Sequence, residues 1–309
     1  MAFTAKDVAE LRKQTGCGMM DCKNALVEAD GDFQKAIKVL REKGVATAEK
    51  KASRIAAEGL VSILSEGGVT AMIEVNSETD FVAKNETFRA FVDGLLRTII
   101  ANRPADIDAL KACKFDGTDD TVEAALQEKT FTIGEKLSLR RFLIVDGTVS
   151  TYVHGIGVTG VIVKFETSDE IAAKAEFKEF AKNIALQVAA MNCQYVDKDA
   201  VPADVVAEEK EILLKQMEQD PKMANKPANV LEGIIKGKLG KFYDGVCLVE
   251  QAYVKEDNMK VSTYVANTAK ALGGDIKIVA FHRYDKGEGL QKREDNFGDE
   301  IASMLGGKA

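Results

Sequence analysis

The sequence predicts an α+β fold in several parts, on the basis of three observations. The chain has 309 residues, about twice the length of a single domain. Apolar residues recur at helical spacing near the N-terminus and alternate with a period of two from Gly59 onward. A strand–strand–helix order then occurs twice. We therefore predict an N-terminal three-helix module, a two-part ββα-type core, an inserted antiparallel helical hairpin and a C-terminal helix.

Residues 1–44 form the predicted three-helix module. Thr4 is placed to cap the first helix and Gly16 to end it, and apolar residues keep helical spacing through the two helices that follow. We expect Gly44 to close the third helix. Residues 45–58 are rich in Ala and Lys and have few large apolar side chains, which predicts an exposed helical linker and a domain boundary.

Residues 59–147 form the predicted first half of the core. Gly67 and Gly68 separate two alternating runs, the second of them at 69–76, and this pattern is typical of a β-hairpin. Asn85 is then placed to cap an amphipathic helix whose apolar residues lie on one face. The first half is therefore predicted to be a ββα unit.

Residues 148–201 and 241–284 form the predicted second half of the core. A hairpin and an amphipathic helix recur there in the same order. Residues 69–73 also align directly with residues 158–162. We interpret the two halves as related units on this basis.

Residues 202–240 interrupt the second half. Two helical runs with thin apolar seams, at 204–219 and 228–239, predict an antiparallel helical hairpin that projects from the body. The proline-containing stretch between the two runs would form the turn.

Three further elements are expected to return the chain to the second sheet. They are a strand near 246–254, a helix at 261–272 that is stopped by glycines, and a strand at 276–284. Residues 285–309 are predicted to form a C-terminal helix module, with the helix at about 293–305.

Composition and charge argue against several classes of protein. Lys and Arg total 42 against 49 for Asp and Glu, and the net charge of −7 argues against binding nucleic acid by general phosphate attraction. The N-terminus lacks a secretory pattern, and no apolar run approaches about 18 residues, so we expect a cytoplasmic protein without a membrane partner. The cysteines are scattered and odd in number, which predicts reduced, mostly buried thiols.

Residues 155–160 spell the dinucleotide-binding pattern G-x-G-x-x-G after a predicted strand. That motif must open a helix at its phosphate site, whereas strand residues come next here, so we interpret the run as a hairpin turn rather than the nucleotide loop of a reductase. His154 and His282 have no Cys or carboxylate neighbour at metal-ligand spacing. We expect no metal, no cofactor and no enzymatic chemistry.

Residues 79–85 connect the first hairpin to its helix and have two interpretations. Phe81 packs beneath the start of the helix with Asp80 as a capping carboxylate, or it is an exposed apolar group offered to a protein partner. His154 poses the same choice between packing and partner contact. So do Met19 and Met20, and because adjacent helical residues point about 100° apart, we expect one of the two methionines to be exposed.

Several segments, taken together and in order along the chain, resemble the elongation factor Ts family of guanine nucleotide exchange factors. The most specific are L-R-K-Q-T-G-C-G-M-M-D-C-K at 11–23 and T-D-F-V-A-K-N at 79–85. The runs G-E-K-L-S-L-R-R at 134–141, H-G at 154–155 and G-E-G-L at 287–290 accompany them.

The resemblance implies that the chain binds elongation factor Tu and promotes the release of its GDP. Residues 1–44 would be similar to a ubiquitin-associated domain and dock on the partner's GTPase domain through Arg12, Met19 and Met20. His154 would add a contact from the second half of the core. The alternative is a ubiquitin-associated-like adaptor without exchange activity, and activity confined to residues 1–44 would distinguish it.

The resemblance also implies an exchange loop in the first half of the core. Thr79, Asp80, Phe81 and Val82 match the loop that intrudes beside the partner's magnesium and switch region. The nucleotide and the magnesium would belong to the partner. In some members of the family the inserted hairpin mediates self-association, which makes a homodimer through residues 202–240 an expectation.

Overall fold

The computed structural model describes residues 3–219 and 227–291, and it confirms the α+β class. The helices of this part of the chain are, in order, α1 (Ala5–Thr15), α2 (Met19–Glu28), α3 (Phe33–Lys51), α4 (Glu86–Asn102), α5 (Ile107–Ala112), α6 (Val122–Ile133), α7 (Asp169–Ala173), α8 (Ala175–Ala190), α9 (Ala203–Glu218), α10 (Ala228–Val246) and α11 (Val261–Leu272). The strands are β1 (Glu58–Glu66), β2 (Val69–Ser77), β3 (Ser138–Asp146), β4 (Val149–His154), β5 (Thr159–Glu166), β6 (Ala252–Tyr253), β7 (Glu256–Lys260) and β8 (Lys277–Asp285). The helix expected at 293–305 lies outside the described residues.

The N-terminal part consists of α1, α2 and α3 around a small apolar core. Thr4 and Asp7 form a reciprocal capping box at the start of α1. Gly16 ends α1 in the left-handed conformation, with φ 67°. Leu11 and Leu26 are fully buried between the helices. Local cap signals and apolar spacing therefore fix this module.

The third helix is longer than the sequence suggested. It continues past Gly44 to Lys51, so the prediction that Gly44 ends it is wrong. Gly44 is buried against α6, and a Cβ built there would lie 3.7 Å from the Cβ of Phe131. A Cβ at that distance makes an ordinary contact, so the packing does not require glycine there. The first part of the predicted 45–58 linker belongs to α3.

β1, β2 and β3 form an antiparallel sheet with β2 at its centre. Helix α4 covers one face of this sheet, and its Phe88, Phe91 and Leu95 share a core with Ile73 and Val75 of β2. The predicted hairpin and helix are both present. The third strand, which comes after α6, was not predicted.

β4, β5 and β8 form a second antiparallel sheet with β5 at its centre. Helix α8 packs on it through Phe177 and Phe180, whose rings lie 5.5 and 5.9 Å from that of Phe165. Each half therefore has the same order: a hairpin, a helical segment, and a third strand that pairs with the hairpin's second strand.

The two sheets pack against each other through their remaining faces. Val61 and Met72 of the first sheet meet Ile162 of the second in a buried cluster. The turn before β5 also lies against β1, where the Gly157 carbonyl accepts a hydrogen bond from the Val61 N–H at 2.8 Å. A Cβ at Gly157, where φ is 72°, would come within 2.5 Å of Leu60 Cβ. This glycine is required by a close approach between the two halves.

Helices α9 and α10 pack against each other and form the inserted hairpin. Helix α10 ends at Val246 rather than at 239, and the strand predicted near 246–254 is wrong. A 3-10 turn at Leu248–Glu250 comes next, and only Ala252–Tyr253 is extended. A short apolar run fits a buried helix end as well as a strand, so its periodicity could not decide between them.

Candidate functional site

The segment at residues 78–85, called here the 78–85 loop, is held at the end where it enters α4. A 3-10 turn at Val82–Lys84 buries the side chains of Val82 and Ala83. Asn85 caps α4, and its Oδ1 accepts hydrogen bonds from two backbone amides of the first helical turn at 2.8 and 3.2 Å. The loop is therefore short and fixed to the helix that comes after it.

The tip of the 78–85 loop points into solvent. Phe81 is 74% exposed, so the interpretation in which it packs beneath the helix is wrong. Asp80 is also exposed and lies 3.5 Å from Lys84 Nζ, which in turn is 5.6 Å from the centre of the Phe81 ring. Because Asn85 is the helix cap, Asp80 is free of that role. The loop presents an aromatic ring beside a carboxylate and an ammonium group.

The base of the 78–85 loop is bonded to a distant segment. The backbone N–H and the hydroxyl of Thr79 donate to the two carboxylate oxygens of Glu135, at 2.9 and 2.6 Å. The carboxylate of Glu78 accepts from the backbone N–H of Lys136 at 2.6 Å and from Arg54 Nη1 at 3.2 Å. The exposed tip therefore stands on a charged, hydrogen-bonded base.

The residues predicted to dock the N-terminal module are all exposed. Arg12 lies in the last turn of α1, and Met19 and Met20 begin α2 with exposed fractions of 45% and 61%. Both methionines are thus exposed, although we expected only one. Val27, also exposed, lies on the same face of α2 as Met20, two turns later. Exposed apolar side chains therefore lie on the outside of the module, with the polar Lys23 and Asn24 between Met20 and Val27.

His154 ends β4 beside the glycine turn and is exposed, so the interpretation in which it packs inside the protein is wrong. Its Nδ1 lies 3.1 Å from the hydroxyl of Tyr152. Ile156 and Val158, on the same turn, are exposed apolar residues. The position therefore combines an imidazole with apolar surface.

Clusters of metal-ligand side chains do not occur in the part of the chain that the structure describes. No three His, Cys, Asp or Glu side chains there are arranged to hold a metal ion. Residues 155–160 form a hairpin turn leading into β5, as interpreted from the sequence.

Burial and the nearby charge of Lys164 lower the pKa of His282, and burial raises the pKa of Cys193 and Cys247 to about 11.

None of the helices within 3–219 and 227–291 is long and apolar enough to cross a membrane.

Comparison with known proteins finds similar sequences along the whole chain. The family model described as Elongation factor TS matches residues 78–288. The chain belongs to the elongation factor Ts family. The elongation factor Ts of Syntrophotalea carbinolica is 46% identical, over 98% of this chain and 99% of its own length. The Clostridioides difficile protein is 46% identical over 98% and 99%, and that of Magnetococcus marinus 42% over 99% and 100%.

Membership of the elongation factor Ts family confirms the predicted resemblance and the role in translation elongation. It does not favour the adaptor alternative, because the likeness extends far beyond residues 1–44. The region matched by the family model begins at Glu78, at the base of the 78–85 loop, and ends at Glu288. The relatives extend the match across the N-terminal module.

The elongation factor Ts loop brings two of its four predicted residues to the surface. Asp80 and Phe81 are exposed, Thr79 is half-buried, and Val82 is buried. Val82 therefore supports the loop from inside, while Asp80 and Phe81 form the surface that another protein can meet.

Sequence reasoning missed Glu135 and Lys136 as parts of this site. A signal was present, because both lie in the run at 134–141 that carried part of the resemblance to elongation factor Ts without a role of its own. Contacts across more than fifty residues are not visible in local spacing, so only the structure joins this run to the loop.

Proposed function

We propose that this chain promotes the release of GDP from elongation factor Tu and so allows the GTPase to reload with GTP. The observation that carries the proposal is Phe81, 74% exposed beside Asp80 on a fixed loop. Full burial of a phenylalanine side chain is worth about 1.5–3 kcal/mol, so a partner that covers Phe81 gains affinity from it. In this proposal the loop displaces partner elements beside the magnesium and the switch region.

Exchange of this kind needs no covalent bond and no cofactor on this chain. The factor binds the nucleotide-free GTPase more tightly than the form that holds GDP and magnesium, so nucleotide and factor weaken each other's binding. This coupling is reciprocal: whatever the factor does to GDP affinity, GDP does to the affinity of the factor. A thousandfold weakening of GDP binding corresponds to about 4 kcal/mol.

One aromatic side chain cannot supply that whole amount. We assign the remainder to loss of the magnesium arrangement that neutralises phosphate charge, to a charge or hydrogen bond from Asp80, and to docking by the rest of the protein. Arg12, Met19 and Met20 would dock the N-terminal module on the GTPase domain, and His154 would bind from the second half. Unbranched methionines suit such an adaptable contact surface.

The inserted hairpin at 202–240 is proposed to mediate self-association. Ile212, Leu214 and Val230 on its two helices are exposed apolar residues. A second copy of the hairpin would cover them. Sedimentation of the full chain tests this, and a monomer at micromolar concentration would contradict it. We place the protein in the cytoplasm, where its proposed partner works.

The decisive experiment monitors the release of fluorescent GDP from elongation factor Tu, in excess unlabelled GDP, as a function of factor concentration. The wild-type chain should accelerate release strongly. Phe81→Ala should lower the maximal stimulated rate about ten- to a hundredfold, because it removes the apolar burial that drives displacement.

Glu170→Ala is the matched control for this experiment. Glu170 occupies the position equivalent to Phe81 in the second half, is exposed and pairs only with Lys174 of the same helical segment, so its variant should behave as wild type. Full stimulation by Phe81→Ala at saturating concentration would contradict the proposal.

The docking role of the N-terminal module is tested in the same assay. Met19→Ala and Met20→Ala should each raise the half-saturating concentration about fivefold, since each loses roughly 1 kcal/mol of apolar burial, and should leave the maximal rate unchanged. Val254→Ala, another exposed apolar residue, serves as the control. Wild-type affinity in both methionine variants would remove the docking claim.

A further inference from the structure

Thr79, two residues before Phe81, has each of its polar groups bonded. A single carboxylate, that of Glu135, accepts both the backbone N–H and the hydroxyl of Thr79, at 2.9 and 2.6 Å. The Thr79 carbonyl accepts from the hydroxyl of Ser77 at 2.8 Å, and Ser77 is fully buried. Backbone and side chain are thus both fixed where the loop leaves the sheet. Bidentate bonds to an ionised carboxylate are the stronger kind.

Residues 134–136 and the loop hold each other reciprocally. While Glu135 accepts from Thr79, the next backbone N–H, that of Lys136, donates to the carboxylate of Glu78 at 2.6 Å. The same carboxylate is paired with Arg54. The adjacent residues Glu135 and Lys136 are therefore bonded to the adjacent loop residues Thr79 and Glu78, respectively.

Residues 134–136 are also attached to the end of the N-terminal module. Lys136 Nζ donates to the carbonyls of Ala52 and Arg54 at 2.6 and 2.7 Å, just beyond the C-terminus of α3. Lys51 Nζ, on α3 itself, donates to the carbonyl of Gly134. A cation is favourable near the C-terminal end of a helix. The segment thus contacts both regions for which we propose a partner-binding role.

We propose that Glu135 is a positioning residue for nucleotide exchange, holding Thr79 so that Asp80 and Phe81 stand in a binding-ready conformation. The inference rests on the proposed function of the 78–85 loop. Asp80 and Phe81 project into solvent, so their placement depends on the base of the loop. A loop that is already ordered does not lose conformational entropy when the partner binds.

The second half of the core supplies an internal comparison. Its equivalent loop is also bonded to the segment before its third strand: Thr167 Oγ1 donates to the Asp275 carbonyl at 2.8 Å, while Ser168 Oγ accepts from the backbone N–H of Ile171 at 3.3 Å. The position of Phe81 is taken there by Glu170. A bond to a distant segment is thus common to both halves, whereas the two bonds from Thr79 to one carboxylate occur in the half that exposes an aromatic ring.

Glu135→Gln tests the proposal in the GDP-release assay, because the amide keeps the shape of the side chain but loses its charge and one acceptor oxygen. The maximal stimulated rate should fall about tenfold, the loss expected for a hydrogen bond to a charged group. The half-saturating concentration should change by less than about threefold, since the remaining docking surfaces are intact. Glu170→Gln, with the same change of charge on the equivalent loop, should match wild type in both quantities.

Hydrogen exchange at the Thr79 amide gives a reading that does not depend on the partner. Its N–H is bonded to Glu135, so exchange should be faster in Glu135→Gln, while amides of the first-half sheet keep their wild-type protection. If Glu135→Gln does not fold, Thr79→Val removes one of the two donors with Glu135 left in place. Thr79→Val should also lower the maximal rate of GDP release and speed hydrogen exchange at the amide of residue 79, because Glu135 then holds this residue by one bond fewer.

A double variant separates positioning from a general structural role. In a Phe81→Ala background, Glu135→Gln should produce a much smaller further fall in the maximal rate, because only the placement of Asp80 is then left for Glu135 to affect. A wild-type maximal rate in Glu135→Gln, beside a lowered rate in Phe81→Ala, would overturn this inference alone. An equal fold-loss in both backgrounds would overturn it as well. Full stimulation by Phe81→Ala would overturn the proposed function and the inference together.

Discussion

The two halves of the core share a strand order and differ in the segment that leaves the central strand. In the first half, β2 leads into a loop with Phe81 exposed at its tip. In the second, β5 leads to Ser168, which caps the short helix α7, and Glu170 stands at the position of Phe81. The sheet determines where each loop begins, and the loop residues determine which side chains it presents. A repeated scaffold can therefore present an exposed aromatic ring in one copy alone.

The interiors of the two central strands differ as well. The side chain of Glu74 in β2 is fully buried on the sheet face turned away from α4, whereas the equivalent position of β5 on that face is Lys164, which is half-buried. Glu74 accepts hydrogen bonds from Arg140 at 2.9 Å, from Arg141 at 2.7 Å and from the backbone N–H of Gly287 at 2.7 Å. One half thus buries a paired charge where the other keeps a partly exposed one.

The largest effect expected from this difference is on stability. Glu74→Ala removes the buried acceptor of Arg140 and of the Gly287 N–H and leaves Arg141 with Glu288 as its carboxylate partner, and it should lower the free energy of unfolding by about 3 to 5 kcal/mol. Val163→Ala removes only apolar contacts and should cost about 2 kcal/mol. Urea unfolding of both variants measures the contrast. Equal losses would show that the buried charge has no special weight in the first half.

The contribution of Glu74 to stability should depend on pH. Burial raises the pKa of Glu74, but its hydrogen bonds to the Gly287 N–H, Arg140, Asn76 and Arg141 outweigh this and hold the pKa below its ordinary value. A lowered folded-state pKa gives stability that is present above the unfolded-state value and is lost as the pH falls through the folded-state value.

The free energy of unfolding of the wild-type chain should therefore decline as the pH falls below about 4.5, the ordinary value for this group. Glu74→Gln should show a shallower decline over that window. Glu170→Gln, at an exposed position of the second half, should keep the wild-type slope. If the free energy of unfolding fell equally steeply with pH in wild type and in Glu74→Gln, Glu74 would not be the source of the acid sensitivity.

The smallest expected effect concerns the contact with elongation factor Tu that we propose for His154 in the second half. His154→Ala should raise the half-saturating concentration in the GDP-release assay about threefold, as for the loss of one exposed hydrogen bond, and should leave the maximal rate unchanged. A fall in maximal rate as large as that of Phe81→Ala would break the division of roles between the halves.

Local signals predicted much of the fold. The capping box at Thr4, the cap at Asn85 and the glycine stop after α11 each act within a few residues, and the structure has helix ends at all three. The alternating runs predicted the two hairpins for the same reason. Residues 261–272 form a helix with the predicted bounds, because its apolar period and its stop signal agree.

Distant contacts account for most of the features that the sequence did not predict. Strand β3 is defined by pairing with β2 across three helices, and Gly44 lies inside a helix that packs against Phe131 of another one. The exposure of Phe81 depends on how Val82 and Ala83 are buried beneath it, which periodicity does not report. The motif at 79–85 predicted the candidate loop, whereas the bond from Thr79 to Glu135 joins residues 56 positions apart and leaves no local pattern.

The bond between Glu74 and Gly287 has a consequence for the order in which the protein is made. The two residues are 213 positions apart, so during synthesis the carboxylate in β2 leaves the ribosome long before its last donor. The first half reaches its final bonding only when translation is nearly complete. A product that stops short of residue 287 would lack this backbone donor to the buried carboxylate, so the first half would be complete only in a nearly full-length chain.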